Sequence, residues 1–387
     1  MRIAASIFGV LAILSVLLDA FETVVLPRRV QRQFRISAWF YRKTWVPWRR
    51  ICSRIKSLSR RENVLGYFGP LSLIVLLALW AVGLIFGFAF LQFGAGEHLQ
   101  LNNEPITFTR LIYQSGETFF TLGYGDVVPT SGLARFLAVL EAGMGFGFLG
   151  TVIGYLPTIY SSFSRREIEI SLLDARAGSP PTAGELLARF GSSSQQEVLD
   201  EIFRAWERWA AEVLESHLSY PALSFFRSQH NNQSWLGALT TILDASALVI
   251  AGVDGLRSDQ AKITFAIARH AVVDLAQVVY ASYDPNIPDR LPAAELLRLQ
   301  QTLEELGVKL LSRGAESEQK LAQLRALYEP YAQGIARNLL INLPPWIHPE
   351  KRKDNWQSGP WDRAIQARSL AGLTSTQQQR RKADEHF

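Results

Sequence analysis

The chain has 387 residues, 48% of them hydrophobic, and a formal net charge of +5 at pH 7. Most of the basic excess sits in one stretch near the N-terminus, so no nucleic-acid partner need be invoked. The single cysteine, Cys52, excludes an intramolecular disulfide.

Residues Ile3 to Leu18 are apolar, and Asp19 and Glu22 interrupt before Thr23-Val24-Val25-Leu26-Pro27. A signal peptide is one reading, but no small-x-small cleavage site follows the apolar run. Residues 1–27 read instead as an additional transmembrane helix whose acidic end can pair with basic groups just beyond it. Residues 28–63 form a basic, aromatic segment, because every charged residue from Arg28 to Arg61 is Lys or Arg. Arg29, Arg32 and Arg35 recur every third residue, yet a single upstream hydrophobic helix does not make a voltage sensor. Trp39, Phe40, Tyr41, Trp45 and Trp48 interleave with the cations, which predicts a stretch lying on anionic lipid.

Val64 to Phe93 carries no charge and exceeds the roughly 20 apolar residues that cross a bilayer. Ile106 to Phe120 is too short to span and mixed in polarity, as suits a re-entrant helix capped by Thr107 or Thr109. Thr121-Leu122-Gly123-Tyr124-Gly125-Asp126 follows it. A second span runs from about Leu133 to Tyr160 and holds Gly143, Gly145, Gly147, Gly150 and Gly154, which permit close packing or bending. Pro157 predicts a kink near its end. Glu141 lies at membrane depth, and Arg135, six residues earlier, is not a helical neighbour, so the carboxyl needs a partner on an adjacent helix.

The loop from Gly94 to Thr109 lacks Lys and Arg. The positive-inside rule therefore predicts a multi-pass plasma-membrane protein with its N-terminus outside and everything after about Ser161 cytoplasmic. Residues 163–349 read as a helical cytoplasmic domain. Thr182 and Glu185 make a capping box, and helices are predicted over 195–218, 234–253, 259–282, 293–306 and 316–341. His217, His230 and His270 are too scattered for a ligand set, and Asp284, Asn286 and Asp289 lack the glycine and distal glutamate of a calcium loop. No enzyme motif occurs, and the chain is not expected to be an enzyme or to need a cofactor. Residues 350–387 read as a disordered tail.

Residues 64–165 resemble the pore module of potassium channels, most closely the small bacterial two-transmembrane type. The carriers of the resemblance are the Thr121–Asp126 hexapeptide, the exit Asp126-Val127-Val128-Pro129, Glu117 six residues before Gly123, and Gly145 nineteen residues beyond Asp126. The resemblance implies a filter in which backbone carbonyls from Thr121 to Gly125 replace the hydration shell of permeant K+, with no other metal. It implies that Tyr124 packs outward, that Glu117 hydrogen-bonds Asp126 behind the filter, and that Gly145 is a gating hinge. Leu122 stands where valine is usual, Phe120 where a hydroxyl residue is common, and Tyr113-Gln114 where an aromatic pair often braces the filter. One pore loop per chain implies a homotetramer.

The expected fold is an all-α membrane protein: a tetrameric potassium-channel pore with pore helix and filter in 64–162, one extra N-terminal transmembrane helix, and an α-helical cytoplasmic C-terminal domain. The expected function is a potassium-selective channel gated or assembled by that domain, which would meet a cytoplasmic ligand or partner the sequence does not name. The alternative is a cytoplasmic binding or scaffold domain anchored by a non-conducting pore-like module.

Overall fold

A computed structural model describes residues 1–26, 35–96, 99–100, 107–230, 232–310, 315–348 and 361. The predicted tail apart from Trp361, and Arg28, Arg29 and Arg32 of the basic run, lie outside them. The protein is all-α: among the described residues the only extended pairing is one two-residue antiparallel ladder, β1 (Leu99–Gln100) with β2 (Val128–Pro129), and an isolated antiparallel bridge between Val253 and Leu310.

The first helix, α1 (Arg2–Ala20), ends in one π turn, Phe21–Val25, and packs antiparallel along the outer span, α3 (Leu58–Ala95). Glycine makes the contact close. A Cβ on Gly9 would lie 2.6 Å from the Gly87 carbonyl oxygen, and one on Gly94 would lie 1.9 Å from Ser6 Oγ. The acidic end of α1 is fully used. Glu22 pairs with Arg35 at 3.5 Å. Asp19 accepts from the Ser37 backbone N–H at 3.0 Å, the Ser37 hydroxyl at 3.0 Å and the Trp80 indole N–H at 2.9 Å. A carboxyl borrowed from another helix thereby satisfies one N-terminal donor, the Ser37 N–H, of α2 (Ile36–Cys52), whose own N-cap, Arg35, supplies no side-chain bond.

One aromatic face of α2 packs against protein. Tyr41, Trp45 and Trp48 share one face by helical spacing, and that face meets protein. Trp45 is 5% exposed, 4.8 Å from the Phe68 ring and 5.1 Å from the Phe225 ring, and its indole donates to the Asn338 carbonyl at 3.1 Å. Tyr41 stacks on Phe225 at 5.4 Å, and burial pushes its hydroxyl up to about 12. Trp39, Val46 and Ile51 remain exposed. Trp45, Cys52, Leu65 and Phe68 therefore share a core with the C-terminal helices, and the boundary expected at 63/64 cuts through packed side chains.

The inner span is one helix of 46 residues, α5 (Gly132–Ala177). It continues past Pro157 without interruption and runs directly into the C-terminal region. There, α6 (Ala183–Phe190) is capped by Thr182, whose hydroxyl accepts from the Glu185 N–H at 3.2 Å. Next come α7 (Gln196–Ser219), α8 (Trp235–Gly252), α9 (Asp259–Val278) and α10 (Ala293–Glu305). The single helix predicted over 316–341 is two, α11 (Ala315–Ala326) and α12 (Glu329–Leu339). Pro330 explains the break. It lacks the N–H a helix interior needs and is tolerated only in a first turn.

Helix α8 is as apolar as a membrane span and is nevertheless enclosed by its neighbours, with every residue from Trp235 to Ala251 buried. Its one charge, Asp244, takes both ends of the Arg290 guanidinium, the shorter contact being 2.7 Å, and the Tyr328 hydroxyl. Arg290 also reaches Glu329 at 3.1 Å, and Arg325 closes the cluster on Glu329 and Asp289. Burial opposes the charge on Arg290, and Asp244, Tyr328 and Glu329 together outweigh that penalty, holding the guanidinium above its usual range.

Candidate functional site

The pore loop is built from the end of a helix. Helix α4 (Phe108–Phe119) begins at Thr107, which is its N-cap but makes no side-chain cap bond. At the other end the Thr121 N–H donates to the Thr118 carbonyl at 3.1 Å and the Leu122 N–H to the Glu117 carbonyl at 2.9 Å. This pair of bonds is the Schellman closure, with Thr121 at the left-handed position that glycine usually takes. Its φ is +55°.

Left-handed residues then alternate with ordinary ones: Thr121 at +55°, Gly123 at +65° and Gly125 at +77°, with Leu122 and Tyr124 between them. Reversal of hand at every second residue brings successive carbonyls toward one side of the chain, the geometry a ring of carbonyl ligands needs. A methyl group on Gly123 or Gly125 would meet nothing within 4 Å, so backbone conformation and not space demands glycine there.

Within one chain the segment is barely covered. Leu122 is 55% and Tyr124 70% exposed, so the outward packing implied for Tyr124 has no partner in its own chain. Two contacts pin the segment from behind. Glu117, buried, accepts from the Gly125 N–H at 3.2 Å. Val127, buried with Ala89 and Leu111, anchors the exit to α3 and α4. The bond implied between Glu117 and Asp126 is absent: Glu117 Oε1 takes the Gly125 amide, and the two side chains do not meet. Asp126 instead takes a long contact of 3.5 Å from the Tyr113 hydroxyl. Gln114 turns inward and donates to Thr118 Oγ1 at 3.0 Å, bracing α4 and not the loop.

Gly145 is a contact point. A Cβ there would stand 1.9 Å from the Phe119 carbonyl oxygen, whereas Gly143, Gly147, Gly150 and Gly154 have no neighbour within 4 Å. The inner helix thus lies directly against the residue two positions before Thr121. Four residues earlier, Glu141 finds the adjacent-helix partner its position requires: Ser115 of α4. Ser115 was legible in the sequence only as a polar residue in the apolar stripe of Leu111 and Phe119, and spacing alone does not pair it with Glu141.

Beyond the span, α5 is latched to the C-terminal helices through Arg166. Its guanidinium donates to His217 Nε2 at 3.1 Å, to the Leu223 carbonyl at 3.1 Å and to the Phe226 carbonyl at 2.9 Å, and pairs with Glu167 at 2.9 Å. The Trp209 indole N–H donates to the Arg166 carbonyl at 3.2 Å. His217 is a fully buried helix residue and forms part of this latch. Pro157 lies on α5 between latch and pore loop, where Thr158 Oγ1 donates to the Gly154 carbonyl at 2.9 Å. Among the described residues no cluster of His, Cys, Asp and Glu could hold a metal ion.

Residues 74–161 match the family described as Ion channel, a two-transmembrane, pore-loop domain. The chain is also similar to YdjJ, an uncharacterized membrane protein of Bacillus subtilis strain 168, at 23% identity over 283 residues, covering 72% of this chain and 77% of that protein. No solved structure matches it.

Proposed function

We propose that this ion-channel domain conducts K+ selectively, down its gradient, through a pore enclosed by four copies of the chain in the plasma membrane. The observation that carries the reading is the alternation of hand at Thr121, Gly123 and Gly125 directly after a Schellman-capped pore helix. An anchor without conduction has no use for three left-handed residues in a row of five, one of them a threonine for which that conformation is strained. The exposed Leu122 and Tyr124 favour an assembly in which neighbouring copies supply the packing one chain lacks, and a carbonyl ring needs more than one chain.

In this reading the N-terminus is outside and the C-terminal helices are cytoplasmic, with the exposed Trp39, Val46 and Ile51 of α2 near anionic lipid. The unbroken α5 and the Arg166 latch make those helices the element that biases the pore, in response to a cytoplasmic ligand or partner. The test is purified protein in liposomes, with reversal potentials in mixed K+ and Na+ and crosslinking in mild detergent. Potassium-selective flux from a four-chain species is expected. Equal permeability, no flux, or assembly stopping at a dimer would refute the proposal, and absent flux with intact folding would leave the anchoring reading.

A further inference from the structure

The three helices of the pore meet at one buried polar point. Glu141 of α5 is completely buried, its Oε1 contacts Ser115 Oγ of α4, and the same Ser115 Oγ lies 2.8 Å from the Ile85 carbonyl oxygen of α3. Hydrogen counting restricts the chemistry. A serine hydroxyl has one proton, whereas a carboxylate and a carbonyl are both acceptors. If Glu141 were ionised, Ser115 could serve only one of them and the other pair of oxygens would face each other without a hydrogen.

Both contacts are satisfied when the carboxyl carries the proton: Glu141 O–H donates to Ser115 Oγ, and Ser115 O–H donates to the Ile85 carbonyl. The surroundings agree. The second carboxyl oxygen, Oε2, is buried without a partner, which is tolerable for the C=O of a neutral acid and very costly for half of a carboxylate. The α3 span from Val64 to Phe93 holds no charged residue. On α4, Glu117 is engaged with the Gly125 N–H, and on α5 the Arg135 guanidinium donates to the Pro129 carbonyl. Among the described residues no Lys, Arg or His pairs with Glu141.

We infer that Glu141 is a neutral, hydrogen-bond-donating acid that ties the inner helix to the pore helix and to the outer helix, and so is a positioning residue for the filter. The tie sits one helical turn from Gly145, where α5 touches the Phe119 carbonyl. Motion of α5 therefore moves the base of the pore loop along with it.

The protonation state is independent of which ion passes, whereas the positioning role rests on the proposed conduction, so the experiment has two arms. In the first, infrared spectra of the full chain in liposomes at neutral pH are compared with those of Glu141→Gln. A protonated-carboxyl stretch that is lost in the variant is expected, and loss of an ionised-carboxylate band instead would overturn the inference whatever the protein conducts.

In the second, K+ over Na+ permeability is measured for the wild type, Glu141→Gln, Glu141→Ala and Ser115→Ala. The glutamine amide can donate to Ser115 and should keep the wild-type ratio. Glu141→Ala removes one link and Ser115→Ala removes both, and each should lower the ratio by about tenfold or more, the scale of one buried hydrogen bond being the lower bound. Glutamine failing as alanine does, or alanine leaving the ratio unchanged, would overturn the positioning role. A wild type without selectivity would defeat the proposed function while the infrared arm still decides the charge.

Discussion

Replacing Gly145 by alanine separates two roles for this residue, hinge and contact. A methyl group there would lie 1.9 Å from the Phe119 carbonyl oxygen and 2.8 Å from its carbon, and Cβ atoms essentially never approach another atom within 3.0 Å. The obstacle is backbone, so no side-chain rotation relieves it, and α5 must retreat from the end of α4 by about 1 Å. Overpacking of this kind costs about 1–3 kcal/mol per chain, against about 1 kcal/mol gained because alanine is the better helix former. At Gly147 a methyl group meets nothing within 4 Å of its own chain, so only the gain applies there.

Gly145→Ala should therefore unfold at lower temperature than Gly147→Ala, by a difference of about 1–3 kcal/mol per chain. Because Phe119 stands two residues before Thr121, the displacement should enter the filter and lower the K+ over Na+ ratio as well. Thermal unfolding in detergent and reversal potentials in liposomes measure the two effects. A Gly145→Ala protein as stable as Gly147→Ala, with selectivity intact and only open probability altered, would refute the contact argument and restore the hinge.

Gly125→Ala, at φ +77° with free space around it, should cost about 1–2 kcal/mol per chain through conformation alone and abolish selectivity, read as a collapsed difference in reversal potential. Burial first, then the Arg166 charge, holds His217 well below its usual 6.5, so the unfolded chain binds the proton more readily. Stability from this site is fully present above about pH 6.5 and falls as pH drops below it, by up to about 1.4 kcal/mol per pH unit until the folded-state value is reached. His217→Gln should flatten that slope in melting curves recorded between about pH 7.5 and about pH 5. Asp244→Ala leaves Arg290 buried with a weakened partner set and should destabilise the C-terminal helices by about 3–5 kcal/mol, seen as loss of their unfolding transition. Deleting residues 180–387 should not be a gating change alone, since it bares Trp45, Leu65 and Phe68. Loss of the folded pore in detergent is the expected outcome, measured by size exclusion and circular dichroism.

The local rules in this chain were legible without a structure. A charge-free run marks the outer span and a charge-poor, glycine-rich run the inner one because lipid admits no unpaired charge, glycine at 123 and 125 marks left-handed backbone, and Thr182 with Glu185 marks a helix start. Each depends on residues within a few positions of one another. Other features are decided by partners far away in the chain. Glu117 bonds the Gly125 amide and not Asp126 because the cap on α4 turns the loop back over the helix. The aromatic face of α2 meets Phe68, Phe225 and Asn338, which composition cannot tell from lipid, since both offer an apolar surface. Gly145 resembles a hinge in sequence and becomes a contact only when Phe119 is brought against it. Glu141 announced the need for a partner, but Ser115 and Ile85 stand 26 and 56 residues earlier. Only the packing of three helices brings those oxygens to one point.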